Sequence, residues 1–362
     1  MSEAPDVQTG STSDVHVTRT QRLITPDELA ERLPITDRVR DTVLRYRREV
    51  SDIMNGRDSR FLVITGPCSI HDADAALEYA DLLAELSDRL RDQMLIVMRA
   101  YFEKPRTVLG WKGLIYDPNL DGSFDIEEGL QRARRLLLDV GERGVPVATE
   151  FLDPIVPQYL SDLVTWAAVG ARTTESQTHR QMASGLSMPV GFKNTTAGSV
   201  QIAADAIRAA HAAQGFLGID HQGRTAVVHT TGNPDGHLVL RGGADGPNYD
   251  AEAVQSAQEV LRKVGLADRL IVDCSHANAG KDHTREGDVF RNVLAQRLAG
   301  NEGVVGVMLE SHINEGSQSL GDDPSVLEYG VSITDPCIGW VETEDLLVDA
   351  AERLPQREAA RA

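Results

Sequence analysis

The chain is predicted to be an α/β protein, a (β/α)8 barrel with an N-terminal extension and an inserted β-hairpin near its sixth strand. Three observations predict it. From Arg60 onward, short apolar runs alternate with amphipathic stretches. The runs are continuous rather than alternating, as strands are when helices cover one face and a core fills the other. Eight such runs occur, the number a closed parallel barrel needs. A doubly wound open sheet is the alternative that the pattern alone leaves open.

Residues 1–14 are rich in Ser, Thr, Asp and Gly without apolar periodicity, and are expected to be a disordered tail. Residues 15–58 are read as an N-terminal arm and helices. Val15 to Ile24 alternates loosely and suits an extended arm. Thr25-Pro26-Asp27-Glu28 offers a capping hydroxyl, a first-turn proline and a returning carboxylate, which is a helix start. Thr36 to Asn55 then sets Val39, Val43, Leu44, Tyr46 and Val50 at helical spacing before Gly56. The barrel is expected over 59–355, followed by a short tail at 356–362. Its strands are placed at 61–64, 95–98, 145–148, 166–169, 188–192, 226–228, 270–272 and 304–309. Helical patterns occupy 73–90, 126–140, 200–213, 251–264 and 288–298. Residues 214–249, rich in Gly, His, Asn and Asp, are assigned to the inserted hairpin. No internal repeat of fixed period is present.

Composition narrows the function. A hydrophobic share of 41% supports a substantial core, and no apolar run approaches the ~18–20 residues of a membrane span. Met1 to Gly10 lacks the basic-then-apolar order of a signal peptide, so a soluble, cytoplasmic protein is expected. Three cysteines, Cys68, Cys274 and Cys337, make no disulfide framework and suit a reducing compartment. With 36 basic against 55 acidic residues, the net charge of −19 repels nucleic acid and anionic membrane. It also repels phosphorylated substrates, so a phosphate site would need a local concentration of Arg and Lys.

That concentration is found where a barrel places reactive groups, just past the C-terminal ends of its strands. After the first run comes Gly66-Pro67-Cys68-Ser69, and after the second Arg99 and Lys104-Pro105-Arg106-Thr107. The third ends in Glu150, the fourth in Ala171-Arg172-Thr173-Thr174-Glu175, the fifth in Lys193-Asn194. Arg241-Gly242-Gly243 follows the sixth, Asp273-Cys274-Ser275-His276 the seventh, and Glu310-Ser311-His312 the eighth. Polar residues at strand ends are ordinary one at a time. Five of these Arg or Lys, Arg99, Lys104, Arg172, Lys193 and Arg241, converging on one mouth suit a small anion bearing phosphate and carboxylate.

A metal site is suggested by the same positions. Cys68, His276 and Glu310 stand at three strand ends, and Asp335 lies in Ser332-Ile333-Thr334-Asp335-Pro336-Cys337. A thiolate, an imidazole and two carboxylates form a mixed set hospitable to Mn, Fe, Co or Zn. Cys68 as a small buried hydrophobe and His276 as a hydrogen-bonded core histidine are the competing accounts. His71 precedes Asp72 at a helix start, where capping explains it. No glycine-rich dinucleotide loop, Walker-type loop or paired Cys-x-x-Cys occurs.

Taken together, these segments resemble the type I 3-deoxy-D-arabino-heptulosonate-7-phosphate (DAHP) synthases of the amino-acid-regulated bacterial and yeast kind. The likeness is carried by Gly66-Pro67-Cys68-Ser69-Ile70-His71, Met98 through Thr107, Gly110-Trp111-Lys112-Gly113, Gly170 through Gln177, Gly191-Phe192-Lys193-Asn194, Leu240-Arg241-Gly242-Gly243 and Asp273-Cys274-Ser275-His276. It runs in order from about Leu23 to Trp340. The resemblance implies condensation of phosphoenolpyruvate with erythrose 4-phosphate and water, giving DAHP and phosphate at the entry to the shikimate pathway. It implies a divalent metal on Cys68, His276, Glu310 and Asp335, and phosphoenolpyruvate held by Arg99, Lys104, Glu150, Ala171, Arg172, Lys193 and Arg241. Lys104, Pro105, Arg106 and Thr107 would meet erythrose 4-phosphate. Lys104, His276 and Glu150 are the candidates for proton transfer. Where the family has Asn-Gly-Thr-Asp-Gly, this chain reads Asn194-Thr195-Thr196-Ala197-Gly198, which alters a loop but no candidate site residue.

The resemblance further implies feedback inhibition by an aromatic amino acid, tyrosine first, through Leu186, Ser187, Phe216, Gly218 and Val228, and a homodimer or homotetramer. A related synthase using another aldose phosphate, and a catalytically silent amino-acid sensor, are the rival readings.

Overall fold

The structure, a computed structural model, describes residues 12–321 and 323–356. Most of the expected tails at 1–14 and 356–362 therefore lies outside the described residues. Two helices come first, α1 (Pro26–Arg32) and α2 (Asp37–Met54). The capping box forms as expected: the Glu28 N–H donates to Thr25 Oγ1, and the Thr25 N–H donates to the Glu28 carboxylate.

The alternating elements are β1 (Phe61–Gly66), α3 (Ala73–Leu90), β2 (Met94–Arg99), α4 (Ile126–Glu142), β3 (Val147–Glu150), α5 (Pro157–Leu160), β4 (Trp166–Val169), α6 (Gln177–Gly185), β5 (Val190–Lys193) and α7 (Val200–His211). A hairpin, β6 (Gly215–Ile219) and β7 (Thr225–His229), interrupts the alternation. It resumes with β8 (Gly236–Leu240), α8 (Ala251–Lys263), β9 (Leu270–Asp273), α9 (Glu286–Leu298), β10 (Val304–Glu310) and α10 (Trp340–Arg353). The parallel strands close in the order β1-β2-β3-β4-β5-β8-β9-β10, with β10 back on β1. The barrel class read from the sequence is the observed one.

One strand is corrected. Ala226-Val227-Val228 is not the sixth barrel strand but part of β7, antiparallel to β6. The sixth barrel strand is β8, paired with β5 and β9. Hydropathy cannot separate the two, because Leu238-Val239-Leu240 is as short as Ala226-Val227-Val228 and begins beside a histidine. Burial does separate them: β8 is buried along most of its length, whereas β7 alternates with solvent.

Helix α2 closes the end of the barrel at which the strands begin. Its Val50, Ile53 and Met54 join the inward residues Leu62, Leu95, Trp166 and Ile271 in one apolar cluster. Arg47 donates to the carbonyls of Ser161 and Val164 ahead of β4, and Ser51 and Asn55 donate to Asp235 ahead of β8. The other end of the barrel is left to the polar groups that follow each strand.

Candidate active site

Cys68 is reached by a sharp exit from β1. Gly66 has φ +153, and a Cβ there would stand 2.5 Å from the Arg99 carbonyl, so only glycine lets β1 pass β2 so closely. Arg99 is 1% exposed. Its Nε donates to the Pro67 carbonyl at 3.1 Å, and Nη2 to the Cys68 carbonyl at 3.2 Å and Glu310 Oε1 at 2.8 Å. Its guanidinium lies 3.6 Å over the Tyr101 ring. Arg99 thus ties the exits of β1, β2 and β10 together.

The donor atoms of Cys68, Glu310 and Asp335 all lie within 4.8 Å of one another, with Cys68 Sγ 3.4 Å from Asp335 Oδ2. His276 stands just outside this set, its Nε2 3.8 Å from Glu310 Oε1. It is aimed there by a left-handed backbone, φ +58, and by Nδ1, which is 3.1 Å from Asp273 and 2.6 Å from Ser275 Oγ. A thiol, an imidazole and two carboxylates meeting at one rim fit a divalent cation of intermediate softness. Burial pushes the Cys68 thiol up to about 11, and Glu310 adds to the effect against the opposing pull of Lys104. Cation binding there must therefore displace a proton.

Lys104 Nζ lies 2.9 Å from Cys68 Sγ and 4.0 Å from Asp335 Oδ2. Burial by itself would lower this ammonium; the facing Cys68 and Glu310 outweigh that and raise it. Lys104 stays charged.

Beside the donor cluster opens a cavity whose wall includes Arg99, Lys104, Arg172, Lys193 and Arg241, with Glu150, Ala171 and His276. Pro105 and Arg106 also line it, and Arg106 Nε donates to the Trp111 carbonyl at 2.8 Å. Thr107 is exposed on the same loop. Three buried polar atoms here have no hydrogen-bond partner among the described residues: Arg99 Nη1, Tyr101 Oη and Glu150 Oε1. Such atoms are costly unless a ligand or water completes them. Glu150 packs onto Gly170, where a Cβ would stand 2.2 Å from Oε1, so a side chain at 170 would displace the carboxylate.

Several organising residues carried no role in the sequence reading. Asp273 holds Lys193 Nζ at 2.8 Å, His276 Nδ1 and the Ser275 hydroxyl at once. Lys193 and His276 pull its carboxyl well below the usual range despite burial, which acts the other way. Asn194 accepts the Arg241 N–H at 2.9 Å and donates to the Gly242 carbonyl. Glu103 accepts from the Leu152 and Asp153 N–H groups, linking the loop after β2 to the loop after β3. Only the fact that each flanks a candidate residue could have pointed to them. His71 does not cap α3; Asp72 does, accepting from Asp74 and Ala75, while His71 meets His312 edge-on.

The five residues read as regulatory lie apart from this mouth. Phe216 pairs with Val228 across the hairpin, and a Cβ at Gly218 would stand 2.9 Å from Val228 Cγ2. Leu186 and Ser187 follow α6, which joins the hairpin's end through Ser184 Oγ and Thr230 Oγ1 at 2.7 Å. The hairpin tip reaches the N-terminal segment, where the Asp27 N–H donates to the His221 carbonyl.

Comparison with known proteins agrees with this geometry. A model of the DAHP synthetase I family matches residues 32–348. The chain is 50% identical over 355 residues to the Tyr-sensitive phospho-2-dehydro-3-deoxyheptonate aldolase of Escherichia coli, covering 98% of this chain and 99% of that one. It is 51% identical over 347 residues to the Trp-sensitive aldolase of Enterobacter agglomerans, covering 96% and 99%. The solved phospho-2-dehydro-3-deoxyheptonate aldolase of Francisella tularensis superposes with a TM-score of 0.91 at 44% identity, covering 93% of this chain and 98% of that one.

Proposed function

The chain belongs to the DAHP synthetase I family, and from that premise we propose that its barrel mouth joins phosphoenolpyruvate to erythrose 4-phosphate. The products are DAHP and inorganic phosphate. One observation carries the reading: a sulfur and two carboxylates gather within 4.8 Å, beside a cavity walled by Arg and Lys in an acidic protein.

Cys68, His276, Glu310 and Asp335 would hold the cation, and Mn, Fe, Co or Zn all suit that donor set. When bound, such a cation supplies Lewis-acid polarisation of the aldehyde oxygen. The remaining work falls to the chain's own groups. Arg99, through its free Nη1, and Arg172, Lys193 and Arg241 neutralise the phosphate and carboxylate of phosphoenolpyruvate and fix the face from which its C3 attacks. Arg106 and Thr107 meet the sugar phosphate from the loop that closes the cavity. Lys104, a charged ammonium between the donor cluster and the cavity, gives its proton to the aldehyde oxygen as that oxygen becomes the new hydroxyl, with His276 as its rival. As water adds at C2, the unpartnered Glu150 Oε1 accepts one of its protons; phosphate then departs by C–O cleavage and carries off the remaining hydroxyl proton as C2 becomes the ketone.

Feedback inhibition by an aromatic amino acid, tyrosine first, is proposed to act at the hairpin and the end of α6; activity unchanged by tyrosine, phenylalanine and tryptophan, each added in turn, would remove it. A homodimer or homotetramer in the cytoplasm is the proposed setting. The decisive assay strips the purified protein with EDTA and adds Mn(II), with phosphate release as the readout. Activity is expected to vanish and return. Preference for arabinose 5-phosphate when the two aldoses compete in one assay would favour the rival synthase that uses another aldose phosphate.

A further inference from the structure

Strand β9 ends one residue before β10 loses its neighbour on that side. The Cys274 N–H donates to the Met308 carbonyl, and there the ladder between the two strands stops. On its other side β10 stays paired, through Gly66 with Glu310 and the Ser311 N–H on the Gly66 carbonyl. The Glu310 N–H is thus left without a strand acceptor, in a residue only 2% exposed. A side chain supplies the acceptor. Glu286, the first residue of α9, receives that N–H on Oε2 at 3.0 Å.

Glu286 is itself 1% exposed, and it lines a chamber with His276, Glu310 and Asp335 next to the substrate cavity. A first-turn acid can serve the helix dipole from the surface. Burial beside the Glu310 carboxylate is electrostatically unfavourable, so the dipole does not account for the position. It makes no cap of α9 either, since that helix start has no side-chain cap. What the position gains is the bond to Glu310.

We propose that Glu286 is a positioning residue of the metal site: it stands in for the missing strand partner of β10 and holds the backbone from which Glu310 faces Cys68 and Asp335. The proposal rests on reading Cys68, His276, Glu310 and Asp335 as ligands. The main chain and side chain of Glu310 are then fixed separately, the first by Glu286 and the second by Arg99 Nη2 at 2.8 Å. Partners that orient a ligand in this way matter nearly as much as the ligand. The acceptor oxygen does the positioning, and the charge is incidental.

The test uses the full-length protein and the variants Glu286→Ala, Glu286→Met and Glu286→Gln. Mn(II) affinity is measured by calorimetry, and exchange of the Glu310 amide is followed without metal. Alanine and methionine are expected to weaken Mn(II) binding by about 10–100-fold and to speed Glu310 exchange. Glutamine, which keeps the oxygen, is expected to stay within about threefold on both readouts. Methionine keeps the volume, so it decides the matter should the alanine variant not fold. Alanine and methionine variants that bind Mn(II) as the parent does would overturn the proposal. So would a glutamine variant as weak as they are, because charge would then be the requirement. A parent protein that binds no Mn(II) would remove the ligand reading itself, a distinguishable failure.

Discussion

At the end of the barrel where the strands begin, the buried charged groups are paired and the apolar ones interlock. Arg60 is held by Asp58 and Glu49, each at 2.7 Å, and Trp166 Nε1 donates to His237 Nε2 at 3.0 Å. At the end where the strands finish, Arg99 Nη1, Tyr101 Oη and Glu150 Oε1 are buried with no partner among the described residues, and Lys104 faces a thiol. The same strands supply both ends. Val97 lies in the interior cluster, and Arg99, two residues on along β2, reaches the mouth. A parallel barrel thus separates stability from chemistry along each strand, and the unpartnered charged atoms of Arg99 and Glu150 lie at the mouth.

The comparison predicts that mutations at the two ends move different observables. The largest effect should come from Cys68→Ser. It should lower kcat/KM by on the order of 10³-fold or more while far-UV circular dichroism and the unfolding midpoint change little. Near-normal activity would mean that the donor cluster is not the reaction centre. Lys104→Met should cut kcat by about 10²–10⁴-fold with smaller changes in substrate binding. A variant that turned over at the parent rate would hand the acid role to His276.

At the opposite end, Ile53→Ala should cost about 2–5 kcal/mol in urea unfolding, as a cavity in a packed core does. KM for both substrates should stay put at temperatures where the variant is folded. A large rise in KM without loss of stability would show that the plug communicates with the mouth.

A smaller effect is expected from pH at the end where the strands begin. His237 is buried, and burial holds its imidazole down to about 4, against the Asp235 carbonyl contact that opposes this. An unfolded histidine titrates near ~6.5, so between these values the unfolded chain takes up the proton and the folded one does not. This contribution is present above about pH 6.5 and is lost as pH falls toward 4, by at most ~3 kcal/mol. Urea midpoints at pH 7.5 and 5 should differ accordingly, and His237→Gln should narrow the difference. An unchanged difference would place the acid sensitivity elsewhere.

The amino-acid sequence was enough for the α/β alternation, the helix start at Thr25, α3 at its observed limits and the residue types at each strand end, because these follow from local periodicity and local chemistry, whereas closure of the sheet into a barrel rather than an open sheet is seen only in the tertiary structure. It did not separate β7 from β8, since two three-residue apolar runs look alike until burial distinguishes them. Nor could it reveal Asp273 as the anchor of Lys193 and His276, Asn194 as the tether of Arg241, or Glu286 as the acceptor for Glu310. Those roles exist only between elements distant along the chain. Which buried hydrogen-bonding groups find partners, and which are left without one, is settled when the barrel closes and the strand ends meet.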